Sequence, residues 1–403
     1  MSSNGGISYN KKSITDIQVS GKKVLLRCDF NVPVDKDTGE ITDEGRIIAA
    51  LPTINYLIDQ GAAIIACSHF GRPKGEFNPD YSLAPIARCL EKHLGKPVKM
   101  AKDVIGPDAM KLVSELRPGE IMLLENTRFH KEEEKNDPDF AKKLADMADI
   151  YVSDAFGSVH RAHASTEGVS HFLPAVSGFL LKKELDNLGG AITEPKRPLV
   201  AILGGAKVSD KLGVIGNLIL KADTIIIGGG MAYTFVKAEG GSIGNSLCED
   251  SEIDAVLKMK DEAKEHGVNM LLPSDTVAAA EFSNDAEPVL VETNAIPDDM
   301  MGLDIGPKTI GEFLEEISKA GTIVWNGPMG VFEFSKFETG TRAVAEAVAN
   351  SGAISIIGGG DSAAAIRKFG LEDKITHIST GGGASLEFLE GKILPGIACL
   401  LDA

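Results

Sequence analysis

A chain of 403 residues, 43% hydrophobic and 25% charged, is long enough for two or three globular domains with ample cores. Its formal net charge of −17 argues against a general nucleic-acid or anionic-membrane binder, so an anion site must gather Arg and Lys against the overall field. Five scattered cysteines without metal-type pairing, no apolar run near the roughly 20 residues of a membrane span, and a polar stretch over residues 1–13 without the apolar centre of a signal peptide point to a cytoplasmic protein with reduced thiols.

One unit recurs along the chain: a short apolar run, a polar or glycine-rich turn, then a helical pattern. The predicted strands are Val24–Cys28, Ala62–Cys67, Ile121–Leu124 and Ile150–Val152, followed by Leu199–Leu203, Thr224–Ile227, Thr322–Trp325, Ile354–Ile357 and His377–Ser379. Runs apolar on both faces and alternating with helices indicate mostly parallel, doubly wound sheets. Their number exceeds one compact sheet, so the expected class is α/β, with two similar doubly wound parallel-sheet, Rossmann-like lobes. Between them, Leu181, Leu185 and Leu188 recur at helical spacing before Gly189-Gly190, which predicts a connecting helix over 177–192. The lobes then cover 1–176 and 193–390, and the apolar tail 391–403 is expected to dock. The acidic run Glu132-Glu133-Glu134 reads as a solvated loop and helix start.

In open α/β sheets ligands sit beyond the carboxyl ends of the strands, so the residues there sample the site. The first half places Arg27-Cys28-Asp29-Phe30-Asn31, Ser68-His69-Phe70-Gly71-Arg72, Glu125-Asn126-Thr127-Arg128 and Ser153-Asp154 with His160-Arg161-Ala162-His163. Arg46, after the short polar loop Thr42–Gly45, could reach the same region. Guanidinium forks match carboxylate and phosphate, so a recurring Arg/His edge suggests a small, multiply anionic ligand, although a lone arginine is more often a surface ion pair. His160 and His163 are poor metal ligands, with Arg161 between them and no third donor nearby; hydrogen bonding within the basic cluster is expected instead.

The second half delivers glycine. GGAKVSDK, GGGMAY, NGPMGVFE, GGGDS and TGGGAS follow successive strands, and such turns let backbone N–H groups approach phosphate. Lys207 and Lys211, four apart, are predicted to share a helix face beside Gly204-Gly205. Gly358, Gly360 and Ala363 fit a G-x-G-x-x-A dinucleotide fingerprint, or a plain packing turn, but Asp361 would repel a bare pyrophosphate. A nucleotide with Mg²⁺ removes that conflict, because Mg²⁺ takes one or two carboxylates plus substrate phosphates. No G-x-x-x-x-G-K-[ST] occurs, and the protein-kinase catalytic Asp is missing after His160-Arg161. A basic small-molecule site facing a Mg-nucleotide site across a cleft, with phosphoryl transfer between them, is the reading these residues support.

The motifs RCDFNVP (27–33), SHFGRP (68–73), ENTRFH (125–130), DAFGSVHRAHAST (154–166), GGAKVSDK (204–211), GPMGVFE (327–333), GGGDSAAA (358–365) and STGGGASLE (379–387) resemble, in order and end to end, those of the phosphoglycerate kinase family. The resemblance implies reversible phosphoryl transfer between ATP and the carboxylate of 3-phosphoglycerate, giving 1,3-bisphosphoglycerate, as in glycolysis and gluconeogenesis. It implies that Asp29, Asn31, Arg46, His69, Arg72, Arg128 and Arg161 hold the phosphoglycerate. Gly204, Lys207, Lys211, Gly302, Asn326, Glu333, Gly359, Gly360, Asp361 and Ser362 would hold the nucleotide, with Leu303 beside Gly302 at the adenine, Glu333 at the ribose and Asp361 as the Mg²⁺ ligand. It also implies that the tail folds back on the N-terminal lobe. Thr127 and Phe70 stand where the family usually has leucine, which bears on local packing only. The segment before Ile14 carries no readable motif.

The acceptor carboxylate is already ionised at neutral pH, so no general base is required and catalysis should rest on alignment and charge. Arg46 and Lys211 are assigned to the transferring phosphoryl, assisted by backbone N–H groups near Gly360 and Gly383. Closure about Phe179–Asn187 and Ser379–Gly381 is expected, to exclude water. An NAD-dependent oxidoreductase and a non-catalytic solute-binding protein are the competing readings. The first leaves Lys207, Lys211 and Asp361 unexplained; the second leaves the glycine turns so. No exposed apolar stripe asks for a partner, so a monomer is expected.

Overall fold

The computed structural model describes residues 8–35 and 37–403; the start of the polar N-terminal stretch and Lys36 lie outside the described residues. The chain divides into two compact units. The first runs to Asp186 and takes in Ile393–Ala403, and the second is Asn187–Lys392.

The first unit is built on six strands: β1 (Lys23–Cys28), β2 (Ala63–Cys67), β3 (Val98–Met100), β4 (Ile121–Leu123), β5 (Ile150–Asp154) and β6 (Ala175–Ser177). All pair in parallel, in the order β3-β4-β2-β1-β5-β6. Their near-continuous apolar character follows from helices on both faces. On one face Val24, Leu26, Ile64 and Ala66 pack with Ile54 and Leu57 of the Gly45–Asp59 helix and Ile86 and Leu90 of the Ala84–Leu94 helix. On the other, Leu25, Ile65, Met122 and Tyr151 are fully buried. Each buried Leu or Ile contributes about 1.5–3 kcal/mol relative to exposure. The tail is tied down within this unit: Lys12 N donates to Leu401 O (2.8 Å), Leu401 N to Ala175 O (3.0 Å) and Gly396 N to Val159 O (2.9 Å).

The second unit begins with β7 (Leu199–Leu203), β8 (Thr224–Ile227), β9 (Ser242–Ile243), β10 (Asn269–Leu271) and β11 (Asp275–Ala279). It continues with β12 (Val289–Glu292), β13 (Ala295–Ile296), β14 (Met301–Ile305), β15 (Thr322–Asn326), β16 (Ile354–Gly358) and β17 (His377–Ile378). Its main sheet is also six-stranded and parallel, ordered β10-β8-β7-β15-β16-β17. Counting only those strands, the order is third, second, first, fourth, fifth, sixth, that of a dinucleotide-binding fold, and it reverses between β7 and β15. The reversal is where such a sheet offers its crevice. The two sheets match in strand number but differ in order, because β4 inserts between β2 and β3.

Three expectations change. The parallel strands β3, β6 and β10 and a separate three-stranded antiparallel sheet, β12-β11-β14, were not predicted. The connecting helix is not uniform: α-helix over Phe179–Glu184 gives way to a π-helical turn, Leu185–Gly189, before α-helix resumes at Gly190–Thr193. Glu133 is fully buried, not solvated. It accepts from Ser165 N (3.0 Å) and Ser165 Oγ, which fix its carboxylate in the interior.

Candidate active site

In the first unit the turns after β1, β2, β4 and β5 bring a basic cluster together. Arg27, at the end of β1 and 1% exposed, donates from Nε to Ser165 Oγ (2.8 Å), from Nη1 to Cys28 O and from Nη2 to His69 Nδ1 (3.1 Å). A guanidinium only donates, so His69 accepts at Nδ1 and its neutral ring carries the proton on Nε2. Burial first, then the charges of Arg27, Arg128 and Arg46, hold His69 well below the usual imidazole range. His163 is pushed down to about 4 by burial and by Arg128, Arg27 and Arg161. The positive charge of this cluster therefore resides on arginines.

Nη1 of Arg46, in the first turn of the Gly45–Asp59 helix, lies 2.8 Å from both carboxylate oxygens of Asp29. Asp29 also accepts from Asn31 N (3.1 Å), and Asn31 Oδ1 accepts from Gly71 N (3.0 Å). Arg128 donates to Gly71 O (2.9 Å) and pairs with Glu134 at 3.3 Å. Arg161 donates from Nε to His160 Nε2 (3.2 Å), the hydrogen bonding expected of this cluster. Arg72 follows Gly71 and is exposed. These contacts draw Asp29, Asn31, Arg46, His69 and Arg128 into one region, and Arg161 is near enough to act electrostatically on Arg128 and His163. Thr127 and Phe70 are buried beside it, Phe70 edge-on to Tyr81.

In the second unit the loops after β7, β15, β16 and β17 surround a cavity of about 440 Å³. Gly204, Lys207, Lys211, Asn326, Gly359, Gly360, Asp361, Ser362 and Gly383 all line it. Lys207 and Lys211 do not share a helix face, as the spacing suggested. Lys207 lies in a loop, and Lys211 closes the turn Val208–Lys211 and immediately precedes the Leu212–Ile219 helix. The loop is held open by close backbone packing: a Cβ on Gly204 would sit 2.1 Å from Pro328 O. Lys211 Nζ donates to Asn326 Oδ1, and burial lowers its pKa against the pull of Asp210, Asp361 and Glu390. Gly359 adopts φ +90°, which turns the chain into the helix beginning at Gly360. Ser362, fully buried, accepts from Gly327 N (2.6 Å) and so joins the turn after β16 to the one after β15.

A second cavity, about 570 Å³ and mainly apolar, contains Gly302, Leu303, Tyr233, Met329, Val331 and Glu333. Gly205, Ala206 and Asp361 line both cavities, so a polar, glycine-rich half adjoins an apolar half at a carboxylate. That arrangement suits a polyphosphate joined to a flat base. Gly302 and Leu303 lie on β14 of the antiparallel sheet, and Gly302 N donates to Ser246 Oγ (2.9 Å).

Sequence reasoning put Arg27 on the basic edge without giving it a binding role, and did not foresee its support through Ser165 to Glu133. The signal was present in the position of Arg27 at the end of a buried strand. Asp210, Leu247 and Phe282, which also line the two cavities, gave no signal in pattern or spacing.

The phosphoglycerate kinase family profile matches residues 14–392. A phosphoglycerate kinase of Clostridium botulinum is 58% identical over 399 residues, covering 98% of this chain and all of the relative, and one of Clostridium novyi matches equally. Among solved structures, the phosphoglycerate kinase of Coxiella burnetii superposes with a TM-score of 0.90 at 44% identity, covering 96% of this chain and 98% of its own. That of Pyrococcus horikoshii gives 0.77 at 35% identity, with the same coverage.

Proposed function

The chain belongs to the phosphoglycerate kinase family, which transfers a phosphoryl group between ATP and 3-phosphoglycerate, and from that membership we propose which residues perform the transfer. Neither the oxidoreductase nor the solute-binding reading finds support in the comparisons. Asp29, Asn31, Arg46, His69, Arg72, Arg128 and Arg161 hold 3-phosphoglycerate on the first unit. Gly204, Lys207, Lys211, Asn326, Gly359, Gly360, Asp361 and Ser362 hold the nucleotide phosphates on the second. Gly302 and Leu303 flank the adenine, and Glu333 meets the ribose. The observation that carries this reading is Asp361, exposed at the junction of the polar and apolar cavities.

The exposed carboxylates Asp361 and Asp210 on a glycine-lined cavity fit Mg²⁺, which prefers few protein oxygens and keeps waters and phosphates as its other ligands. Asp361 would hold the ion, and the ion would neutralise charge on the nucleotide phosphates. The substrate carboxylate oxygen attacks the terminal phosphorus, its new O–P bond forming as the bond to the bridging oxygen of ADP breaks. No proton moves, so the neutral His69 and His163 serve binding and not acid–base work. Lys211 and Arg46 stabilise the moving phosphoryl, with the backbone N–H groups of Gly360 and Gly383 beside it.

The decisive assay is ATP consumption coupled to product detection. Consumption should require both 3-phosphoglycerate and Mg²⁺ and should ignore NAD; turnover without 3-phosphoglycerate would overturn the assignment. We place the enzyme in the cytoplasm as a monomer, which sedimentation at the 42.6 kDa chain mass would check. Among the described residues no helix is long and apolar enough to cross a membrane.

A further inference from the structure

Glu44, Cys89 and His93, none of them among the residues assigned to either substrate, bring a carboxylate oxygen, a thiol sulfur and an imidazole nitrogen within 4.8 Å of one another. Cys89 and His93 are four apart on the Ala84–Leu94 helix, so their side chains share one face. Glu44 is the residue before the Gly45–Asp59 helix. It occupies the N-cap position, yet its side chain makes no capping bond. Its carboxylate instead meets His93 Nε2 at 2.7 Å and the Lys92 ammonium at 3.8 Å. Cys89 is 8% exposed, while the side chains of His93 and Glu44 remain 24% and 33% exposed, which leaves an approach from solvent. Phosphoryl transfer uses none of the three.

We propose that Glu44, Cys89 and His93 form a site for a thiophilic divalent cation of the Zn²⁺ class, each giving one ligand atom, with water in the fourth position. Sulfur, imidazole nitrogen and one carboxylate oxygen form the donor set that Zn²⁺ and Co²⁺ accept, whereas Mg²⁺ requires a shell of oxygens. Tetrahedral bonds of about 2.0–2.3 Å separate neighbouring ligand atoms by roughly 3.3–3.7 Å. The Glu44–His93 contact must therefore open by less than about 1 Å, and Glu44 must exchange Lys92 for the ion. Burial and the nearby Glu44 carboxylate push the thiol up to about 11, so the ion binds as the S–H proton leaves to solvent and the metal–sulfur bond forms. Because Glu44 precedes Gly45-Arg46, a bound ion would fasten the start of the Arg46 helix to the Ala84–Leu94 helix.

Co²⁺ is the probe, titrated under anaerobic conditions into the full-length, chelator-stripped protein without Mg²⁺. The expected result is a near-ultraviolet thiolate-to-cobalt absorption that saturates at about one Co²⁺ per chain and is bleached by Zn²⁺. Cys89→Ser should abolish the band, and His93→Gln should weaken Co²⁺ binding roughly tenfold or more. Co²⁺ should also raise the melting temperature of the wild type and not of Cys89→Ser. Absence of the band in the wild type, its persistence in Cys89→Ser, or unchanged affinity in His93→Gln would each overturn the site. Circular dichroism and kinase turnover of both variants establish that they fold.

Discussion

Arg46 and Lys211 are held in contrasting ways, one exposed against Asp29, the other half-buried against Asn326. If each stabilises charge only as the phosphoryl moves, Arg46→Ala and Lys211→Ala should each lower kcat by about 10²–10³-fold. Steady-state kinetics with both within threefold of wild type would remove them from the transfer step. Asp304 titrates with a different consequence. Burial raises its carboxyl to about 7 while it accepts from Gly340 N and Ile305 N. The folded chain thus keeps a proton that the unfolded chain loses near pH 4, and this contribution to stability declines as pH rises from about 4 through 7, by at most about 1.4 kcal/mol per pH unit. His163, held down to about 4, acts in the opposite sense: the unfolded chain takes its proton first, so stability is lost as pH falls from about 6.5 through 4. The stability advantage of wild type over Asp304→Asn should therefore shrink as pH rises across that window; a constant difference in melting temperature would refute it. At this scale the sequence was informative where chemistry recurs after each strand. It was silent on which of three consecutive glutamates turns inward, because a four-residue helix, Lys131–Glu134, has too little periodicity to show its buried face.

The glycine turns act as elements through backbone contact. Gly204 packs against Pro328 O with no room for a methyl group, so Gly204→Ala must displace the loop that carries Lys207 and Lys211. Such overpacking costs about 1–3 kcal/mol, and both a lower melting temperature and weaker ATP binding are expected in calorimetry. Retention of both would show that the loop yields freely. Strands buried on both faces, such as Leu199–Leu203, were readable as continuous apolar runs. The antiparallel sheet was not, because β12 alternates between half-buried and exposed residues and β14 opens with Met301-Gly302, neither giving a buried run. Gly302 and Leu303 came into view through family motifs alone. The lysine pair shows the opposite failure, a helical spacing that the chain spends on a turn.

For the molecule as a whole, the proposed sites put the acceptor on one unit and the donor on the other, and direct transfer would require them to meet. We therefore propose that the units draw together when both are loaded, with Phe179–Asn187 and Ser379–Gly381 as the pivots. The π-helical turn Leu185–Gly189 spans the division between the units, and such irregular turns are frequent at functional positions. Solution scattering should give a smaller radius of gyration with both substrates than with either alone; no decrease would exclude closure. The division into two parallel-sheet units followed from counting apolar runs. The difference in strand order did not, since β3 and β4 are each only three residues long and their order depends on packing across the sheet.

The contact between Arg46 and Asp29 gives this guanidinium a carboxylate partner from within its own fold. On the proposed assignment of Arg46 to the substrate, an anion competes there with a tethered rival whose local concentration is fixed by the fold and not by the solution. A dilute, singly charged ion gains little from that exchange. A ligand that also engages the neighbouring arginines would gain more, so on that assignment the Arg46–Asp29 pair would favour multiply charged guests.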